Sequence, residues 1–279
     1  MALPDQLRPH PKRGRSHNQT PQLQKQTITT AMSMTSIKER PILFSADMIC
    51  ALIREYQNPG MCKNQTRRTR NLERFNNFPK VLTEKGWKIQ DFIEEEPGLW
   101  LAISNDESGE FPDIFDPWVK CPYGKVGDRL WVRETFCYKP NMDDQYWYRA
   151  SSPDVRAIGH DGYGLYRKDG SERSPWISSV RMPRKASRIL LEVTEVKIER
   201  LLEITPHEAQ MEGIECVWHD EETDACLWKN YTGESTGFAF ARVSFISLWN
   251  KIKGAGAAAQ NPWVWVIKFK VLTINGEVK

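Results

Sequence analysis

The pattern of β-like runs constrains this chain most. Arg188–Leu201 is the longest such run, and Trp263–Val271 reads as a strand buried on at least one face. Arg129–Phe136 alternates strictly: Leu130, Val132, Glu134 and Phe136 share one face, Arg129, Trp131, Arg133 and Thr135 the other. Shorter strands are expected at Pro41–Phe44, Trp100–Ile103 and Tyr146–Ala150. A helix is expected from Ala46 to about Tyr56, capped by Ser45 or Asp47, with Met48, Leu52 and Tyr56 as its apolar stripe. A second is expected within Asn71–Lys85 and another over Phe238–Lys251. Thr205–Ile214 carries fuller signals: Thr205 as N-cap, Pro206 at the first helical position, Glu208 closing a capping box and Gly213 as the stop. Helices and strands do not alternate regularly, which disfavours a doubly wound sheet. The expected class is α+β: a small mixed β-barrel with peripheral short helices and loop insertions.

The 279 residues suffice to bury a sizeable core. Residues 1–36 are polar, basic and poor in apolar side chains, so a disordered tail is expected there. The domain is expected over 37–272, with insertions at about 69–120 and 151–174, and a short tail at 273–279. Glu94–Glu96 reads as a solvated face, and 216–237 as a loop. A net charge of +3 is too mild to establish nucleic-acid binding. The six cysteines lack any CxxC and read as free thiols, and no secretory segment opens the chain, so a reduced, cytoplasmic setting is expected. No apolar run reaches the roughly 18 residues of a membrane helix. Phosphate-loop, dinucleotide and zinc-protease motifs are missing, so no cofactor is expected. Cys216, His219 and Cys226 have no recognised zinc spacing, so no metal is expected either.

The densest chemistry lies in Lys63-Asn64-Gln65-Thr66-Arg67-Arg68. A lysine, a hydroxyl and two guanidiniums in six residues suit either a grip on phosphate or chemistry on a polar ligand. Lys63, Arg67 and Arg68 are therefore candidate contacts to phosphate or to a polar base edge. Trp131 or Trp147 offers a stacking face, with core packing as the plainer role. Two acids are candidate partners for the cluster. Glu134 shares a face with core-directed residues and needs a cation there. Glu212 falls in the last turn of its helix, where the dipole disfavours an anion and a nearby cation must compensate.

Pro41–Ser45, the Lys63–Arg68 cluster, Gly127–Glu134, Met182–Ile189 and Asn261–Val266, in this order, resemble the ASCH family of PUA-like proteins. The later segments look like its larger phage and prophage members, and the resemblance spans about Ile37 to Val271. It implies a PUA-like β-barrel with a cleft for RNA or a modified nucleobase, nucleoside or nucleotide. One compact branch resembles an amidohydrolase acting on acetylcytidine, with the pattern Lys-x-x-Thr-x-Arg and a later helical glutamate. Lys63, Thr66 and Arg68 match the first part and Glu212 the second. The resemblance implies Thr66 as nucleophile, Lys63 as its base and Glu212 in proton transfer. This chain departs from that branch in length and at Asn64 and Gln65. Binding is the leading expectation, hydrolysis the alternative. A structural or interaction protein with a merely solvated basic cluster is the third.

Overall fold

A computed structural model describes residues 36–139, 145–152, 174–233, 237–275 and 277–278. The expected disordered tail and nearly all of the expected insertion at 151–174 lie outside them. Residues 37–279 group into one unit. The strands are β1 (Glu39–Leu43), β2 (Gln65–Arg68), β3 (Ile89–Glu96), β4 (Leu99–Ser104), β5 (Trp118–Lys120), β6 (Arg129–Arg133), β7 (Phe136–Tyr138), β8 (Tyr146–Tyr148), β9 (Ile189–Arg200), β10 (Cys216–Asp220), β11 (Ala225–Trp228), β12 (Trp263–Ile274) and β13 (Glu277–Val278). The helices are α1 (Ala46–Gln57), α2 (Glu73–Asn76), α3 (Lys80–Glu84), α4 (Pro206–Met211) and α5 (Ala241–Lys253). The class is α+β, with strands in four sheets.

The central sheet runs β1-β6-β9-β12-β13, with β2 paired to β12 beside this path. Only β1 and β6 run parallel; the other pairings are antiparallel. Strand pairing among the described residues does not close this sheet into a barrel. The two long runs, β9 and β12, lie side by side at its centre. Trp263 through Ile267 are all buried, so β12 is covered on both faces. The expected C-terminal tail is instead the end of β12 and the short return strand β13.

Two other expectations need correction, and the segment expected as an insertion at 69–120 packs into the core. Its helices are short, and β3-β4-β5 form a sheet whose aromatics meet the central strands. Phe92 packs edge-on to Trp263 at 5.0 Å and Trp100 to Trp265 at 5.9 Å between ring centroids. Residues 216–228 form a two-stranded hairpin, β10-β11, rather than a loop. The alternating run at 129–136 breaks after Arg133, and Phe136 begins a separate pair, β7-β8.

Because 69–120 shares one core with the rest, Phe92→Ala should cost about 3–5 kcal/mol of global stability. Denaturant unfolding followed by tryptophan fluorescence and by circular dichroism should still give coincident transitions. An early, separate transition would show that the segment folds on its own.

Candidate functional site

Lys63 enters the site by way of α1. Ser45 caps that helix, accepting from the Met48 amide. After its last turn the Pro59–Gly60 break is held by Glu55, buried on the helix, whose two carboxylate oxygens accept from the amides of Gly60 and Cys62. The sequence signal for this anchor is a glutamate on an otherwise apolar helical face. The chain then bridges to α4: Lys63 pairs with Glu212, and the Asn64 amide donates to the Met211 carbonyl. Gly213 makes this approach possible. Its φ is +86°, and a Cβ there would lie 2.9 Å from Lys63 Cδ and from Ala51 Cβ.

The rest of the cluster forms β2, an edge strand whose one strand partner is β12. Lys63, Gln65, Thr66 and Arg67 are all buried, so the cluster is no solvated surface. The helix dipole argument at Glu212 is met by two cations. Arg67 donates to Glu212 at 2.9 Å, and the Lys63 ammonium lies 3.8 Å from its other oxygen. Arg67 also pairs with Glu199 of β9 at 2.5 Å and Glu208 of α4 at 3.2 Å. Its guanidinium is thus committed to three carboxylates, which corrects its expected role as a contact to phosphate.

Lys63 Nζ donates to the carbonyls of Gln65 at 3.0 Å and Glu212 at 2.5 Å. Burial pushes its amine down from an ordinary 10.5 to about 8; the Glu212 carboxylate opposes this, while Arg68 and Arg67 add to it. Arg68 faces a different environment. It donates to the Leu43 carbonyl at 2.9 Å and covers the Phe44 ring at 5.1 Å, and it has no ion-pair partner among the described residues. Burial lowers its pKa.

These side chains open on a cavity of about 400 Å³. Lys63, Thr66, Arg67, Arg68 and Glu212 line it, with Phe44, Tyr123, Phe245 and Trp249 as its aromatic wall. The structure thus brings together every cluster residue singled out above and Glu212. It does not bring the other two. Glu134 is buried elsewhere against Arg188, in a bidentate pair at 2.8 and 3.0 Å. Burial pushes its carboxyl up and Arg188 pulls it back. Its nearest available cation was the one on the neighbouring strand lead, not in the cluster. Trp131 is buried beneath the Arg133 guanidinium and does not line the cavity; nor does Trp147. The aromatic wall comes from Phe44, Tyr123 and α5, segments far apart in sequence that no local pattern joins into one site.

No three His, Cys, Asp or Glu among the described residues are grouped to hold a metal. His219 bonds Asp224 at 2.8 Å on the exposed hairpin. No helix among the described residues is long and apolar enough to cross a membrane. Comparison with family models, curated proteins and solved structures gives no match.

Glu208 gives the ion network a pH signature. Burial disfavours its charge, yet the Thr205 amide, Arg67 and Lys197 outweigh this and hold it at about 2, below its ordinary 4.5. A depressed acid stabilises the fold above its unfolded value and loses that contribution as pH falls toward its folded one. Stability should therefore decline between pH 4.5 and about 2, and Glu208→Gln should flatten the decline. Equal acid slopes for the two proteins, from urea unfolding, would show that this carboxylate is not coupled to folding.

Proposed function

We propose that the cavity binds a nucleobase or nucleoside, free or within RNA, in a domain of the ASCH, PUA-like type. The observation that carries this reading is Arg68. Its guanidinium has five donors, of which one is given to Leu43 and one, at 3.4 Å, to the Arg67 carbonyl. The remainder are left for acceptors on a ligand, in a cavity also lined by the Phe44, Tyr123 and Trp249 rings. A planar heterocycle with acceptors on its edge satisfies both halves of such a wall. The small β-barrel belongs to the same proposal and rests on the resemblance; the cytoplasmic setting, also proposed, rests on the cysteine usage. Arg68→Ala should weaken cytidine binding about 10- to 100-fold by calorimetry, with the circular dichroism spectrum retained. Undiminished affinity would exclude Arg68 as the anchor.

A second reading, hydrolysis of an acetylated cytidine-type nucleoside, is favoured by the state of Lys63. A neutral amine has two donors and a lone pair. Two carbonyls already take two donors, so the free base fits its surroundings without a lost hydrogen bond. Thr66 lines the same cavity with no hydrogen-bond partner for its hydroxyl among the described residues. In this reaction Thr66 Oγ1 attacks the acetyl carbon and Lys63 takes its proton. The C–N bond then breaks and the proton passes to the leaving amine. Water hydrolyses the acetyl-threonine, releasing acetate and restoring the hydroxyl. Glu212, held by Arg67, stabilises the ammonium form of Lys63 between the two proton transfers. Acetate release from acetylcytidine should rise with pH through about 8, where Lys63 becomes the free base, and vanish in Thr66→Ala with binding kept. A protein that binds acetylcytidine yet releases no acetate would exclude hydrolysis and leave the binding reading in place.

A further inference from the structure

The base-and-sugar reading leaves the mouth of the cavity unexplained. Arg70 and Lys253, both exposed, line the cavity together with Arg68. Lys253 Nζ donates to Thr69 Oγ1 at 3.0 Å. Lys253 Nζ also lies over the Trp249 ring, 5.9 Å from its centroid, so the ammonium is held at the cavity wall that Arg68 and Arg70 share. None of the three cations has an ion-pair partner among the described residues. The one carboxylate lining the cavity, Glu212, is already taken by Arg67 and Lys63. Lys253 also sits in the last turn of α5, where it offsets the negative end of the helix that would otherwise repel an anion.

A second, independent observation points the same way. Tyr123 lines this cavity and is 8% exposed, and its hydroxyl has no hydrogen-bond partner among the described residues. Burial pushes that hydroxyl's pKa up, while Arg68 and Arg70 act on it in the opposite direction, as expected of cations close by. The ring is buried, and its hydroxyl is a donor that no described protein acceptor takes.

We infer that the mouth of the cavity is a phosphate subsite formed by Arg70, Lys253 and the Tyr123 hydroxyl, with Arg68 between it and the base. The ligand is then a nucleotide, as a free monophosphate or as a unit of an RNA strand, rather than a neutral nucleoside. This rests on the nucleoside reading above. Arg70 and Lys253 supply charge-assisted bonds to non-bridging oxygens, and Tyr123 donates one neutral bond. Neither cationic side chain is buried: the Trp265 indole bonds the Arg70 carbonyl, not its side chain, and Lys253 is exposed.

The test is the ratio of affinities for cytidine monophosphate and cytidine, by calorimetry on the full chain at low and at high salt. The ratio should be about tenfold or more at low salt and shrink with added salt. In Arg70→Ala and in Lys253→Ala it should fall toward one, and Tyr123→Phe should lower it by a smaller factor. A short oligocytidine distinguishes the sources: tighter binding than the monophosphate, with the gain lost in Arg70→Ala, places the phosphate in a strand; equal binding places it on a free nucleotide. A ratio of one with cytidine bound overturns the phosphate subsite and spares the nucleoside reading. Binding of neither ligand overturns both.

Discussion

A guanidinium inside the protein organises the rest of this architecture. Arg67 sits on β2 with its side chain buried and reaches Glu199 on β9, Glu208 on α4 and Glu212 at the C-cap of α4. An arginine suits this position because its planar fork serves several carboxylates at once and keeps its charge on burial. Removing it would leave carboxylates facing one another in a partly dry space, at a cost of about 3–5 kcal/mol. The network therefore holds α4 against the sheet in one register. Lys197 completes it from β9, bonding Glu199 and Glu208.

That clamp has a chemical consequence. With α4 fixed, its C-terminal end approaches Lys63 closely enough that Gly213 must be a glycine, and the Lys63 amine is trapped between two carbonyls beside two guanidiniums. Burial and like charge both disfavour the ammonium, while Glu212 restrains the shift. A lysine thus becomes a group that changes charge near neutral pH. The same edge strand leaves Arg68 lining the cavity, with no ion-pair partner among the described residues. One short strand therefore carries, on successive residues, a cation clamped by three carboxylates and a cation with no ion-pair partner among the described residues.

Much of this was legible locally. The capping box at Thr205 and Glu208, the Pro206 start and the Gly213 stop stand as read, and the awkward placement of Glu212 correctly demanded a cation. The long strands at 189–200 and 263–274 were visible as patterns. Where reading failed, the missing information was non-local. Glu134 needed a buried cation, but Arg188 lies 54 residues away in sequence and competes with the cluster on equal terms. Trp131 alternates outward from the Leu130 face, yet a second layer buries that side too. Arg67 and Arg68 are chemically identical neighbours, and no local rule says which is clamped and which is free.

The sequence by itself determined the local elements: which residues cap and stop α4, which runs extend into strands, and that a basic hydroxyl-bearing segment would need acidic company. Those outcomes follow from backbone sterics, capping and side-chain periodicity, which act within a few residues. Only the tertiary structure decided how the charges pair and what the cavity contains. Ion pairs and burial depend on which distant segments meet, so the same kind of carboxylate is a satisfied core group in one place and lines a cavity in another. Glu134 and Glu212 differ in that respect alone: the sheet carries the first to Arg188, and α4 delivers the second to Lys63 and Arg67.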